Sequence, residues 1–251
     1  LSAAAAPRRG LLRAGLATLV AAAILVGLGA WQLERLAWKE ALIATIAERM
    51  AAPPAPLPAP SEWSKLDLDQ WRYRRVQAIG TFDPTREVRI YTLLTDQKGP
   101  YAGPGYWIIE PLRLRDGGTV LVNRGFVPES RADPASRPDG HTVGETTVVG
   151  LLREPEDRNM FTPADAPEKR LFFTRDPQAI AAALGLSDAA PFTIDADATP
   201  NPGGLPQGGE TRLAFPNRHL EYALTWFGLA GALCAVFAAF AWQTLRPGRR
   251  R

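Results

Sequence analysis

The sequence has one cysteine, Cys234, and only two histidines, His141 and His219, in 251 residues. A single thiol excludes an intrachain disulfide and any CxxC pair for copper handling or thiol exchange. Two histidines far apart in sequence cannot by themselves build a multi-histidine metal site. No GxSxG, HExxH, Walker loop or GxGxxG is present, so the local signatures of esterases, zinc proteases and nucleotide-binding folds are missing. Acid is absent from both ends: no Asp or Glu precedes Glu34 or follows Glu221.

What is there is apolar length. The mean hydropathy of -0.13 suits an ordinary soluble domain, but it averages over two uncharged runs, Ala14 to Leu33 and Tyr222 to Trp242. Twenty helical residues rise roughly 30 Å, the thickness of a bilayer's hydrocarbon layer. Both runs are therefore expected to span a membrane. Outside them the tails carry Arg8, Arg9 and Arg13 at one end and Arg246, Arg249, Arg250 and Arg251 at the other. The chain from Glu34 to Glu221 holds all 26 acids and the remaining 22 of 29 basic residues, a net of −4. A basic stripe for nucleic acid is thereby unsupported. Basic tails place both termini in the cytoplasm and the acidic segment across the membrane. A cleaved signal peptide is the competing reading of the N-terminus, because the apolar run ends in Gly27, Gly29 and Ala30. That run exceeds the usual apolar core of roughly 7 to 15 residues and continues into a helical pattern, which favours an anchor. The chain opens on Leu1, so its start is expected to be incomplete or processed.

After Trp31 the helical pattern continues through Leu36, Ile43, Ile46 and Met50. The stretch AAPPAPLPAP, Ala51 to Pro60, then denies backbone donors and reads as an extended spacer. Beyond it, runs rich in β-branched and aromatic residues predict strands at 72–82, 87–94, 106–114, 119–127 and 146–152, with a last one at 192–194. Asp116-Gly117-Gly118 predicts a hairpin turn. DPQAIAAAL, Asp176 to Leu184, predicts a short helix capped by the acid and stopped by Gly185. The expected fold class is an α+β membrane protein, two transmembrane helices bracketing a mostly antiparallel β-rich extramembrane domain. Its divisions are a basic tail (1–13), the first transmembrane helix (14–33), a juxtamembrane helix and proline-rich linker (34–60), a periplasmic β-rich domain (61–215), an interfacial motif with the second transmembrane helix (216–242) and a second basic tail (243–251).

Isolated acids such as Asp165, Glu168, Asp195 and Asp197, and His141 in its polar turn, read as solvated surface. His219 stands apart, at the mouth of the second span in PNRHLEY. On a helix it shares a face with Tyr222, Ala223, Trp226, Ala230, Leu233 and Phe237. That face offers a nitrogen ligand at the aqueous edge, small residues that leave a shallow groove, and Trp226 as a stacking surface. Such a stripe suits an apolar iron porphyrin, with Arg218 and Arg212 placed to pair with its acidic substituents. The same residues also suit a plain interfacial belt, and Gly228, Gly231, Ala232 and Ala235, facing Gly27 and Gly29, suit close helix packing. Both readings stand on the residues alone.

Four further stretches, GAWQLERLAWK (Gly29 to Lys39), GYWIIEPL (Gly105 to Leu112), VLVNRGFV (Val120 to Val127) and PNRHLEYALTWF (Pro216 to Phe227), resemble the Surfeit locus protein 1 family over nearly the whole chain. The last is preceded by the glycine-rich GGLPQGGETR, Gly203 to Arg212. The resemblance implies two transmembrane helices around an external domain, and a non-enzymatic role in assembling haem-copper cytochrome c oxidase. It further implies binding of haem a through the histidine matching His219, for delivery to the oxidase's catalytic subunit. The family pattern often has asparagine where Arg218 stands, so the carry-over reaches His219 directly and Arg218 less so. The implied partners are the oxidase catalytic subunit, the haem a synthesis enzyme and membrane lipid, and the implied location is a bacterial inner membrane. Two rival readings are a haem-free scaffold holding oxidase subunits and a membrane-tethered periplasmic enzyme.

Overall fold

The computed structural model describes residues 5–211 and 215–246, with side chains from Arg9 onward. In chain order its elements are α1 (Ala5–Ala51), β1 (Ala55–Pro56), α2 (Leu68–Trp71), β2 (Arg75–Phe82), β3 (Val88–Leu94), β4 (Gly103–Leu114), β5 (Thr119–Pro128), β6 (Glu145–Arg153), β7 (Leu171–Phe172), α3 (Pro177–Leu184), β8 (Ala189–Ala196) and α4 (His219–Leu245). They form two compact units, Leu1–Thr45 with Ala214–Arg251, and Ile46–Leu213.

The first unit is helical. α1 runs 47 residues because its Ala- and Leu-rich sequence holds no proline between Pro7 and Pro53, and it ends where Pro53 denies Ala52 a helical backbone. Both α1 and α4 are long and apolar enough to cross a membrane. Large apolar side chains stand exposed along each, among them Leu12, Leu16 and Leu19 on α1 and Leu224, Val236 and Phe240 on α4. The helices meet through aromatic rings set on glycines. A Cβ on Gly29 would lie 2.6 Å from the Phe227 ring, and one on Gly15 would lie 3.1 Å from Phe237. Gly27, Gly228 and Gly231, expected at this packing, have no neighbour within 4 Å of such a Cβ. The 3.6-residue period accounts for Gly228, which lies off the side of α4 that carries Ala223, Phe227 and Ala230.

The second unit is a closed barrel. β2 pairs antiparallel with β6 on one side, and its residues Gly80, Thr81 and Phe82 pair with Leu114, Arg113 and Leu112 of β4 on the other. The circuit β2–β6–β8–β5–β4 thus returns to β2, with β3 and β7 continuing outward from β4. Most pairings are antiparallel; β5–β8, β1–β2 and β3–β7 are parallel. Gly80 is required at the seam, where a Cβ would stand 2.3 Å from the Arg113 carbonyl oxygen. The interior holds Val76, Ala78, Leu112, Val120, Val122, Leu152, Phe192 and Ile194. Trp63 plugs it edge-on to Phe192 at 5.8 Å and donates its Nε1–H to the Pro58 carbonyl. A second cluster lies outside the barrel, where Ile180 of α3 covers Leu121, Val88, Ile90 and Ile109.

The expected hairpin joins β4 to β5 through Gly117 and Gly118, at φ +93° and +75°. α3 begins with the Asp176 carboxylate accepting from Gln178 and Ala179 N–H and ends at left-handed Gly185. Two features differ from expectation. The proline stretch is no free spacer: Ala55–Pro56 adds a short parallel edge to β2, a place where missing N–H donors cost nothing. β8 is longer than 192–194 and carries Asp195 inward. That residue is 2% exposed, so the solvated reading is corrected.

Candidate functional site

His219 is the first residue of α4, half-exposed, with its N–H held by the Asn217 side-chain oxygen at 3.4 Å. Its Nδ1 faces Oε1 of Gln32 on α1 at 2.7 Å. With the amide oxygen on that side Nδ1–H donates to it, and the neutral form of a ring so bonded has its lone pair on Nε2. Gln32 itself is 9% exposed, a buried amide near the end of an apolar run, and this bond satisfies its oxygen. A second side chain thus orients the ring from behind, the kind of outer hydrogen bond that metal-binding imidazoles make.

Trp226 follows by seven residues, within about 20° of His219 around the helix, and is half-buried. Tyr222 is 54% exposed. Arg218, the N-cap, is exposed. Arg212 lies outside the described residues. The alanines of the stripe do not form an open groove: Ala223 and Ala230 are 1% and 6% exposed, buried on the side of α4 that packs Phe227 on Gly29. Sequence reasoning missed Gln32, although a lone amide just before Glu34 in an otherwise apolar segment is the kind of residue that needs a partner.

The barrel carries a second polar centre, of different character. Asp195 Oδ1 accepts from Asn123 Nδ2 at 3.0 Å and Arg175 Nη1 at 2.7 Å, and Oδ2 accepts from Arg153 Nη1 at 2.8 Å and Thr211 Oγ1 at 3.1 Å. Burial alone would raise this carboxyl, but Arg175 and Arg153 hold it below its ordinary value. With all its lone pairs engaged it is a tie between β5, β6, β8 and the segments bearing Arg175 and Thr211. A hollow of about 270 Å³ beside it is walled by Tyr91, Trp107 and Phe173.

Deeper in, a bulge in β5 opposite Ile108 and Ile109 inserts Arg124 between Asn123 and Gly125. Arg124 donates to Glu110 at 2.9 Å, both side chains fully enclosed. Burial outweighs that partner and leaves the Glu110 carboxyl above its ordinary value. His141 belongs to this neighbourhood with its Nδ1 out of water, not to a solvated turn. Among the described residues no three His, Cys, Asp or Glu side chains converge as a metal-binding group. Neither ion centre offers a free nucleophile beside a base.

Residues 19–231 match the SURF1 family. The chain belongs to that family. It is 38% identical to Surfeit locus protein 1 of Rattus norvegicus over 216 residues, covering 82% of this chain and 68% of the rat protein. It is 36% identical to Surfeit locus protein 1 of Homo sapiens over 217 residues, covering 82% of this chain and 70% of the human one. A SURF1-like protein of Monosiga brevicollis is 36% identical over 247 residues, covering 94% and 90% of the two chains. The region shared with the SURF1 family includes both Gln32 and His219.

Proposed function

We propose that this SURF1-family chain is a membrane-anchored, non-enzymatic assembly factor for haem-copper cytochrome c oxidase, which holds haem a as cargo and passes it to the catalytic subunit. The observation that carries the reading is the His219–Gln32 pair, which engages Nδ1 of a half-exposed ring close to the exposed Tyr222 side chain. A single protein ligand suits a carrier, because an iron held from one side is released by breaking one bond. Nε2 of His219 would ligate the iron, Trp226 and Tyr222 would flank the porphyrin, and Arg218 would supply a cation for its acidic substituents. The exposed apolar length of α1 and α4 supports a bilayer as their solvent. The basic tails support an orientation with both termini cytoplasmic and the barrel across the membrane, which in the bacterial inner membrane proposed here is the periplasm. The haem a synthesis enzyme is the natural donor in this scheme.

The test is absorption of the full-length protein purified after co-production with haem a synthesis. The wild type is expected to show a haem a spectrum and His219→Ala to lose it. A spectrum unchanged in the variant removes the ligand role. One observation favours a second reading: the 2.7 Å bond joins α1 to α4, so His219 also serves as a structural clamp. A haem-free scaffold is then the reading that survives if the purified wild type carries no haem a while the oxidase still depends on His219.

A further inference from the structure

The bond behind His219 has a chemistry of its own. Its acceptor is a neutral amide, contributed by a different helix from the ligand it orients. A carboxylate in that place would draw the Nδ1 proton more strongly and make the imidazole a stronger donor. With no acceptor, the ring would be free to turn and to exchange tautomers. The amide lies between these limits: it fixes the ring and the tautomer with a moderate gain in basicity. The amide is also buried, in a part-buried bond where competition from water is reduced. Its geometry depends on how α1 and α4 pack, because a separation of about 1 Å carries a 2.7 Å contact past hydrogen-bonding reach. The Phe227 ring on Gly29 sets that packing within one turn of Gln32.

We infer that Gln32 is a positioning residue that sets the donor strength of His219, keeping the cargo bond firm enough to hold and weak enough to release, and that it links that strength to the seating of α1 on α4. This rests on the haem-carrier reading and deepens it. Gln32 does not touch the iron; it acts through the imidazole. Loss of an outer partner of a metal-binding histidine weakens affinity by roughly 10–100-fold, and a charged acceptor acts in the opposite sense.

The experiment uses the full-length protein in detergent loaded with haem a, comparing wild type, Gln32→Leu, Gln32→Glu and His219→Ala. Two quantities are read: the rate of haem a loss to excess apomyoglobin and the reduction midpoint of the bound haem. Gln32→Leu is expected to speed loss by about 10–100-fold and move the midpoint upward. Gln32→Glu is expected to slow loss and move it downward. Opposite shifts of the midpoint are what a purely structural clamp does not produce. If both variants speed haem loss alike with the midpoint unmoved, Gln32 only packs the helices and the inference falls. If both match the wild type, it falls as well. Should His219→Ala retain the wild-type spectrum and loss rate, the ligand role of His219 on which this inference rests fails; should the wild type hold no haem a, the carrier reading itself fails. Should His219→Ala lose haem while the Gln32 variants are silent, only the role of Gln32 is removed.

Discussion

Replacing Asp195 with asparagine tests how the barrel is held together. The substitution keeps the shape and removes the charge that Arg175 and Arg153 face, in a site where the three side chains are 3%, 9% and 14% exposed. Removing one partner of a buried pair costs about 3–5 kcal/mol, mostly from the charges left behind. Arg175 keeps Glu156 as a partner and Arg153 is the wetter of the two, so the lower end applies, about 3 kcal/mol. Set against a usual stability of about 5–15 kcal/mol, that is a large fraction. With a urea slope of about 1–3 kcal/mol per molar, the midpoint falls by roughly 1–3 M. Urea-dependent hydrogen exchange of β5 and β8 peptides reads this unit while α1 and α4 stay in the micelle. The pH dependence has a definite sign. A depressed carboxyl contributes stability that is complete above its ordinary value of 3.8 and is lost as pH falls through the lower folded value. The gap between wild type and Asp195→Asn therefore closes below that pH. A midpoint change under about 0.3 M at neutral pH refutes the view that this carboxylate ties the barrel.

Three further outcomes follow from the same geometry. Arg124→Leu leaves Glu110 enclosed without its cation, so its carboxyl rises further. The variant is expected to lose about 3–5 kcal/mol at neutral pH and regain part of it on acidification, because a raised carboxyl favours the fold below its ordinary value of 4.5; melting temperature against pH checks this. Gly29→Ala drives a methyl into the Phe227 ring and is expected to cost about 1–3 kcal/mol of helix-pair stability, with Phe227→Leu restoring it in a thermal melt of the double variant. Gly80→Ala places a Cβ against the Arg113 carbonyl and is expected to part β2 from β4, seen as faster exchange of the Asp83 and Arg115 amides, which donate to Pro111 and Ile79 across that seam, with β6 pairing intact.

The strands were legible because their signal is local. β2 alternates buried Val76 and Ala78 with exposed Gln77, and the glycine pair after Asp116 has one turn to make. The long helices were legible from apolar length alone. The sites were less so, since each is joined across the fold. Gln32 meets His219 across 187 residues, and no spacing rule connects an amide on one helix to a ring on another. Asp195 looked like surface because isolated acids usually are, and its partners come from β5, β6 and the segment before α3. Closure of the barrel depended on three residues of β2 turning to a second partner, which a list of strands does not contain. The alanines of α4 were read as a groove because periodicity finds a face without saying what lies on it.

The sheet has another property that follows from its closure. Its two outermost strands, β1 and β7, are two residues each. Strands so short give an incoming polypeptide almost no backbone to zip onto, so addition at β1 or β7 is a poor way to recruit a neighbour and a poor route to self-aggregation. Recognition at these two strands has to be written in side chains and loops, where single substitutions can retune it without disturbing the ladder beneath.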